Sequence, residues 1–352
     1  MACERWGKAP KLKYLMRQQE SSVSASSSTK KNPPTKEVNK KKKTQKTALP
    51  PITTDGLDVL QLKDVVVDPE KNVVLVDDLH SLQHFQTAVD TAIDNVEKVS
   101  QSKANLSDHD WAQHTWGVDA EWRPTSMSNG STPVAVLQLC SPDDEIFLLD
   151  LQTLCHPSQG NAELQPSSRE LLLSVTLTKL FQATDVSLAG FGIVQDLGKL
   201  AHSFPHLPCF YLFESVIDLQ AVAPKALDDR RINSLQNYVA VLMKKKLDKT
   251  EQCSDWAVRP LSLSQMEYAA LDAAVARPLL LATLEEQRKA SSSFVNSEEE
   301  AEETSFLVEH NELRQTIRMK FLRQEETYDR SIRYRVVMGH DKTHLGVRYA
   351  RQ

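Results

Sequence analysis

Apolar and polar positions in the middle of the chain form short patterns that predict several strands in succession. The run VVLVD at 73–77 predicts a strand, and apolar positions spaced by three or four residues over 79–98 predict a helix. The segment HTWGVDAEWRP is interpreted as a strand that ends at Pro124. Two further runs, VAVLQLC at 134–140 and EIFLLDL at 145–151, predict strands that are joined by a Ser-Pro-Asp-Asp turn.

The pattern then changes to an alternation of helix and strand. An amphipathic pattern predicts a helix over 167–182, and VSLAGFG at 186–192 predicts a strand that runs into a helix beginning near Asp196. Helical patterns follow at 232–247 and 264–288. Adjacent strands followed by alternating strands and helices favour an α/β domain with a mixed sheet.

The two ends of the chain differ from this region in composition. Residues 1–56 are basic and rich in Ser, and they are predicted to be disordered because they cannot bury enough apolar surface. The folded domain is predicted over 57–290, followed by an acidic linker over 291–305 and a basic segment of unassigned structure over 306–352. The run NKKKKTQK at 39–46 is interpreted either as a solvated linker or as a nuclear-localisation signal.

Composition limits the class of protein. The formal net charge of −5 argues against bulk electrostatic binding of nucleic acid by the whole molecule. Five cysteines without a C-x-x-C pair argue against a disulfide framework or a zinc ribbon. The sequence has neither a membrane-spanning apolar stretch nor a secretory h-region. An intracellular protein is therefore predicted, with the nucleus favoured over a mitochondrial location and with no membrane partner.

Two carboxylates lie on the strand that precedes Pro124. Asp119 and Glu121 are two residues apart and face the same side of a strand, while Val118 and Ala120 face the other side. Like charges this close repel each other unless a cation lies between them. The alternative is a solvent-facing strand edge, but the apolar residues around the pair favour a functional site.

Three more polar residues stand out later in the chain. Asp196 follows the apolar strand, at a helix start where α/β sites tend to form or where a carboxylate simply suits the helix dipole. Tyr268 and Asp272 are four residues apart and share one helix face, and Ser264 with Glu267 predicts a capping box at the start of that helix. The alternative is a chance polar pair on an exposed face. Small and apolar neighbours instead indicate a buried helix, in which a carboxylate requires a partner.

The order D-x-E, then D, then Y-x-x-x-D resembles the three motifs of DEDD-type 3′-5′ exonucleases, in the tyrosine-containing DEDDy branch. The segments GVDAEWRP, LDKTEQCSDWAVRPL and YAALDA are similar to the Werner-type and mut-7-like exonuclease domains, which are related to RNase D. The resemblance covers about residues 70–288. It implies an RNase H-like mixed sheet flanked by helices.

The resemblance also implies roles for the five residues. Hydrolysis of phosphodiester bonds would use two Mg²⁺ or Mn²⁺ ions. Asp119 would bridge both ions, Glu121 and Asp272 would complete the shell of the first, and Asp196 would hold the second. Tyr268 would orient the attacking water. The implied partner is single-stranded DNA or RNA with a free 3′ end.

The substrate strand needs cations and stacking surfaces, for which Trp122, Arg123, Trp256 and Arg259 are the candidates. The alternative for the two tryptophans is packing in the core. Two other functions are compatible with the sequence, namely a catalytically silent nucleic-acid-binding module of the same fold and an adaptor that binds proteins through its tails. The presence of all five signature residues favours the nuclease.

Overall fold

A computed structural model describes residues 49–102, 110–127, 132–155, 166–294, 315–322, 333–340 and 343–348. The strands are β1 (Val73–Val76), β2 (Thr115–Trp122), β3 (Val134–Cys140), β4 (Ile146–Asp150), β5 (Ser187–Gly190), β6 (Leu212–Asp218), β7 (Gln315–Leu322), β8 (Arg333–His340) and β9 (Thr343–Arg348). The helices are α1 (Pro69–Asn72), α2 (Leu79–Ser102), α3 (Asp110–Gln113), α4 (Leu151–Leu154), α5 (Ser168–Gln182), α6 (Ile193–Ser203), α7 (Leu219–Ala226), α8 (Leu235–Leu242), α9 (Leu263–Ala274) and α10 (Ala276–Phe294).

The strands form one sheet in the order β1-β4-β3-β2-β5-β6-β7-β8-β9. Strand β3 is antiparallel to both of its neighbours, β2 and β4, whereas β1 pairs parallel with β4, and β2, β5 and β6 pair parallel with one another. The last three strands add an antiparallel extension at β6. The predicted α/β fold, a mixed sheet flanked by helices, is confirmed.

Helices cover both faces of the sheet. On one face, apolar side chains of α2, α5 and α6 pack against β2, and rings of Phe85, Trp116 and Phe147 meet with centroids 5.1–6.5 Å apart. On the other face, the small residues of α9 pack against β3 and β4. Each large apolar side chain buried in this way contributes about 1.5–3 kcal/mol. Strands β1–β6 therefore lie between two largely apolar layers, in which a buried polar side chain needs a hydrogen-bond or ionic partner.

The helix predicted over 264–288 is two helices in the structure. Pro278 follows Ala274 by four residues, and its ring would clash with the carbonyl group of Ala274 in a continuous helix, so α9 ends there and α10 begins at Ala276. The predicted capping box is also wrong. Ser262 and Gln265 form it instead, each side chain bonding the other's backbone N–H at 3.0–3.1 Å.

Other predicted boundaries also change. The helix predicted over 232–247 is confined to α8, because Lys244 adopts the left-handed conformation that ends a helix. Strand β6 was not predicted, since Glu214 and Ser215 interrupt its apolar run. The lysine run at 39–46 lies outside the described residues, so the localisation signal stays a prediction. Within the described part of the chain, no helix has both the length and the apolar character that a membrane span requires.

Candidate active site

Strand β2 carries two carboxylates on the face that α9 covers. Asp119 is 8% exposed and Glu121 is 3% exposed. Trp116, Val118 and Ala120 point the opposite way, into the core beneath α2 and α6, as the period of two residues requires. The predicted division of β2 into an acidic face and a core face is confirmed.

Gly117 lets helix α9 approach this face of β2 very closely. A Cβ atom at Gly117 would lie 2.0 Å from the carbonyl oxygen of Ala273, which is far inside van der Waals contact. Gly117 precedes Asp119 by two residues and so faces the same way, and Ala273 directly follows Asp272. Because Gly117 has no side chain, the segment of α9 that contains Asp272 packs directly against the strand that carries Asp119.

The substitution Gly117→Ala tests this contact. We expect α9 to be pushed away from β2, with a loss of about 1–3 kcal/mol in the free energy of unfolding, as for other overpacked sites. The melting temperature should fall, and so should the affinity for Mn²⁺ measured by titration calorimetry, because Asp272 would move away from Asp119. A variant with the melting temperature and Mn²⁺ affinity of the wild type would show that α9 and β2 are not in this close contact.

Three of the four predicted carboxylates come together. One ligand oxygen from each of Asp119, Glu121 and Asp272 lies within 4.8 Å of the other two. Asp272 is 9% exposed, so the whole group has little access to water. Three carboxylates at this distance repel one another, and bound cations relieve that repulsion. Their hard oxygen atoms suit Mg²⁺ or Mn²⁺, so the residues present fit a divalent-metal site.

Asp196 is not a member of this group among the described residues. It lies in the first turn of α6, which begins at Ile193, three residues earlier than the sequence predicted. Asp196 is 9% exposed. Because β5 pairs parallel with β2, the helix that follows β5 begins beyond the same end of the sheet at which β2 ends. Asp196 therefore approaches the site from a different element than the other three carboxylates.

The corner between β5 and α6 is held by a residue that the sequence did not single out. Gly192 has a φ of 77°, a left-handed conformation, and its N–H donates to Oδ1 of Asp218 at 2.9 Å. Removal from water raises the pKa of Asp218, although the backbone N–H groups around it act in the opposite direction. Asp218 is the last residue of β6 and caps the helix α7 that follows, so a carboxylate between a strand and a helix is the signal that would have found it.

Tyr268 lies one helical turn before Asp272 on α9 and is half-buried. Its ring centroid is 6.0 Å from that of Trp256, with the ring planes inclined by 46°. Trp256 is fully buried, so it supports the phenol from the core side. The pair Tyr268 and Asp272 thus lies on the α9 surface that packs beside the carboxylates of β2.

The four predicted nucleic-acid contacts behave differently from one another. The prediction that Trp256 stacks on a base is wrong, because the ring of Trp256 is fully buried. Arg259 binds both carboxylate oxygens of Asp150 at 2.6 and 2.7 Å and three backbone carbonyl groups, so its guanidinium holds the fold together. Arg123 pairs with Asp255 at 2.7 Å, but its side chain remains 40% exposed.

Trp122 combines packing with a polar contact. It is half-buried against the core, and the amine of Lys199 lies 5.4 Å from its ring centroid. Lys199 follows Asp196 by three residues on α6 and is 8% exposed. This contact was not predicted, because Lys199 and Trp122 lie far apart in the sequence.

Comparison with known proteins gives a consistent result. A family model described as 3′-5′ exonuclease matches residues 90–287, which include all five signature residues. The exonuclease mut-7 homolog of Homo sapiens is 33% identical over 171 residues, covering 45% of this chain and 18% of that protein. The bifunctional 3′-5′ exonuclease/ATP-dependent helicase WRN of Mus musculus is 30% identical over 159 residues, covering 45% of this chain and 10% of that protein. The chain thus spans a fifth or less of the length of these relatives.

The crystal structure of the Aedes aegypti Nibbler EXO domain is also similar. It is 23% identical, with a TM-score of 0.45, and the match covers 64% of this chain and 93% of that one.

Proposed function

Because the chain belongs to the 3′-5′ exonuclease family, we propose that it hydrolyses phosphodiester bonds at the 3′ end of single-stranded DNA or RNA, using two divalent ions. The observation that carries this proposal is the group formed by Asp119, Glu121 and Asp272, whose ligand oxygens lie within 4.8 Å of one another. Such a group of buried like charges stabilises neither the fold nor its own ionised state without a cation.

The positions of the residues suggest a task for each. Asp119, Glu121 and Asp272 would hold one ion, and Asp196 on α6 would hold a second one together with Asp119. When bound, ions in such sites activate a water molecule and neutralise the charge that develops on the phosphoryl group. Tyr268 would donate a hydrogen bond to, or accept one from, the attacking water through its phenol. This role would place the chain in the DEDDy branch.

The substrate would enter beside the end of β2. Arg123 follows Glu121 by two residues, and its partly exposed guanidinium is suited to bind a phosphate of the strand. The net charge of −5 makes such a local cation more important than the overall field. A single strand can bend toward a buried cluster of carboxylates without the cost of unpairing bases, which supports single-stranded ends as the substrate.

The experiment that tests this proposal uses the purified chain and labelled single strands of DNA and of RNA. We expect degradation with Mg²⁺ or Mn²⁺ and none with EDTA, because the carboxylates need a cation. A strand labelled at the 3′ end should lose its label at once as a mononucleotide, while a 5′-labelled strand should give a ladder of shortened products.

Three outcomes would contradict the proposal in different ways. Degradation that persists in EDTA would exclude the metal mechanism. Cleavage of a circular single strand would indicate an endonuclease. Tight binding of single strands without any degradation, in the presence of either metal, would favour a catalytically silent binding module.

A further inference from the structure

Gln138 lies directly across from Asp119 in the sheet. The two residues are register partners in the antiparallel pair of β2 and β3, so their side chains leave the same face and their Cβ atoms are about 4.5–5.5 Å apart. That face is the one covered by α9. Gln138 is fully buried, and neither its amide nitrogen nor its amide oxygen has a hydrogen-bond partner among the described residues.

An unpartnered amide in this layer is energetically costly. Each buried polar group without a hydrogen bond costs about 1–3 kcal/mol, whereas an apolar side chain of the same length would cost nothing of this kind. The flanking side chains on the same face are Leu148 on β4 and, along β3, Val136 and Cys140. Among these residues and its register partner Asp119, Asp119 alone carries a charge.

We propose that Gln138 is a positioning residue that donates a hydrogen bond from its amide nitrogen to the carboxylate of Asp119 when the site holds its metal ions. This inference rests on the proposed function, which makes Asp119 a metal ligand. The two residues face each other across the strand pair, so the amide of Gln138 lies on the same side of the sheet as the carboxylate that it would bind. Carboxylates that bind metal ions are commonly fixed by such outer hydrogen bonds, which orient the ligand oxygens.

The substitution Gln138→Met separates this role from simple packing. Methionine has nearly the same length and shape but no amide, so the metal-free protein should melt at or above the temperature of the wild type. Calorimetry with Mn²⁺ should show an affinity that is lower by about 10- to 100-fold, as for the loss of other outer-shell partners. Turnover should fall at a given Mn²⁺ concentration, while the KM for the single strand stays close to that of the wild type.

Gln265→Met is the matched control. Gln265 is also a buried glutamine in this layer, but its amide is bonded to Ser254 at 2.9 Å and to Ser262 at 3.0 Å. Its substitution should lower the melting temperature and leave the Mn²⁺ affinity unchanged. Gln138→Met is thus expected to lose Mn²⁺ affinity but not thermal stability, and Gln265→Met to lose thermal stability but not Mn²⁺ affinity.

Two results would overturn the inference. Wild-type affinity of Gln138→Met for Mn²⁺ would show that the amide does not position Asp119. A melting temperature of Gln138→Met well below that of the wild type would show that the amide has a structural partner. If the wild type itself fails to bind Mn²⁺, the proposed function fails, and this result is distinct from the other two because it does not involve the variant.

Discussion

Asp119→Ala is expected to abolish nuclease activity while the protein stays folded. Asp119 is one of the three clustered carboxylates and would help to hold both ions, so its removal is expected to weaken the binding of both ions. We expect a loss of more than about 10³-fold in turnover, which exceeds the range of about 10²- to 10³-fold for losing one preorganised contact. The measurement is the initial rate of mononucleotide release with Mg²⁺.

Stability provides an internal check on that variant. Three like charges become two, so the metal-free Asp119→Ala protein should melt at or above the temperature of the wild type. Asp185→Ala is the matched control, because Asp185 is an exposed carboxylate just before β5, at the opposite end of the strand from α6. It should keep full activity. A folded Asp119→Ala variant with near-normal turnover would mean that the nuclease site lies elsewhere.

Tyr268→Phe is expected to reduce the rate less than Asp119→Ala does, and the same assay tests this ranking. This substitution keeps the ring and its contact with Trp256 but deletes one hydroxyl group. The rate should fall by roughly 10- to 1000-fold, as for the loss of one positioned catalytic hydrogen bond. Since the phenol is not a ligand, the Mn²⁺ affinity should remain that of the wild type, and the loss should be smaller than for Asp119→Ala.

The carboxylates of β2 and the pair on α9 could be predicted from the sequence because their spacing alone fixes which of them share a face. Asp119 and Glu121 are two residues apart on a strand, and Tyr268 and Asp272 are four apart on a helix. That these two faces meet depends on Gly117, and no local pattern reveals that α9 lies against this glycine. The resemblance to a family supplied the pairing that the local pattern lacks.

The less successful predictions concern residues whose partners are distant in sequence. Trp256 and Arg259 looked like surface contacts because aromatic and cationic residues are common in nucleic-acid grooves. Trp256 is buried and Arg259 reaches Asp150, 109 residues away, which no spacing rule anticipates. Gln138 was read only as part of an apolar strand, because its significance comes from the strand beside it.

Arg259→Met is expected to destabilise the fold strongly, and this is the second large effect. Asp150 is 2% exposed, and it accepts the guanidinium of Arg259 through both oxygens while it caps α4. Removing the arginine leaves a buried carboxylate without its cation, which typically costs about 3–5 kcal/mol. For a domain of this size, that corresponds to a melting temperature lower by roughly 6–20 °C.

The pH dependence of that loss has a definite sign. Burial opposes the ionisation of Asp150, but the hydrogen bonds and charge of Arg259 outweigh it and hold the pKa below the usual value of 3.8. The pair therefore stabilises the wild type above that pH, and the contribution is lost as the pH falls below it. In Arg259→Met, protonation relieves the buried charge, so the difference in unfolding free energy between the two proteins should shrink toward acidic pH.

Arg123→Met completes the comparison, because the two arginines were predicted to share one role and the structure separates them. Its pair with Asp255 is partly exposed and is worth about 0.2–1 kcal/mol, so the melting temperature should change little. If Arg123 binds a phosphate of the substrate, the KM for single strands should rise, and the dependence of binding on salt should weaken by about one phosphate contact.

Arg259→Met should give the opposite pattern, with a lower melting temperature and an unchanged KM for the fraction that remains folded at low temperature. A stable Arg259→Met protein with weakened strand binding would restore Arg259 as a substrate contact and would contradict its assignment to the ion pair with Asp150.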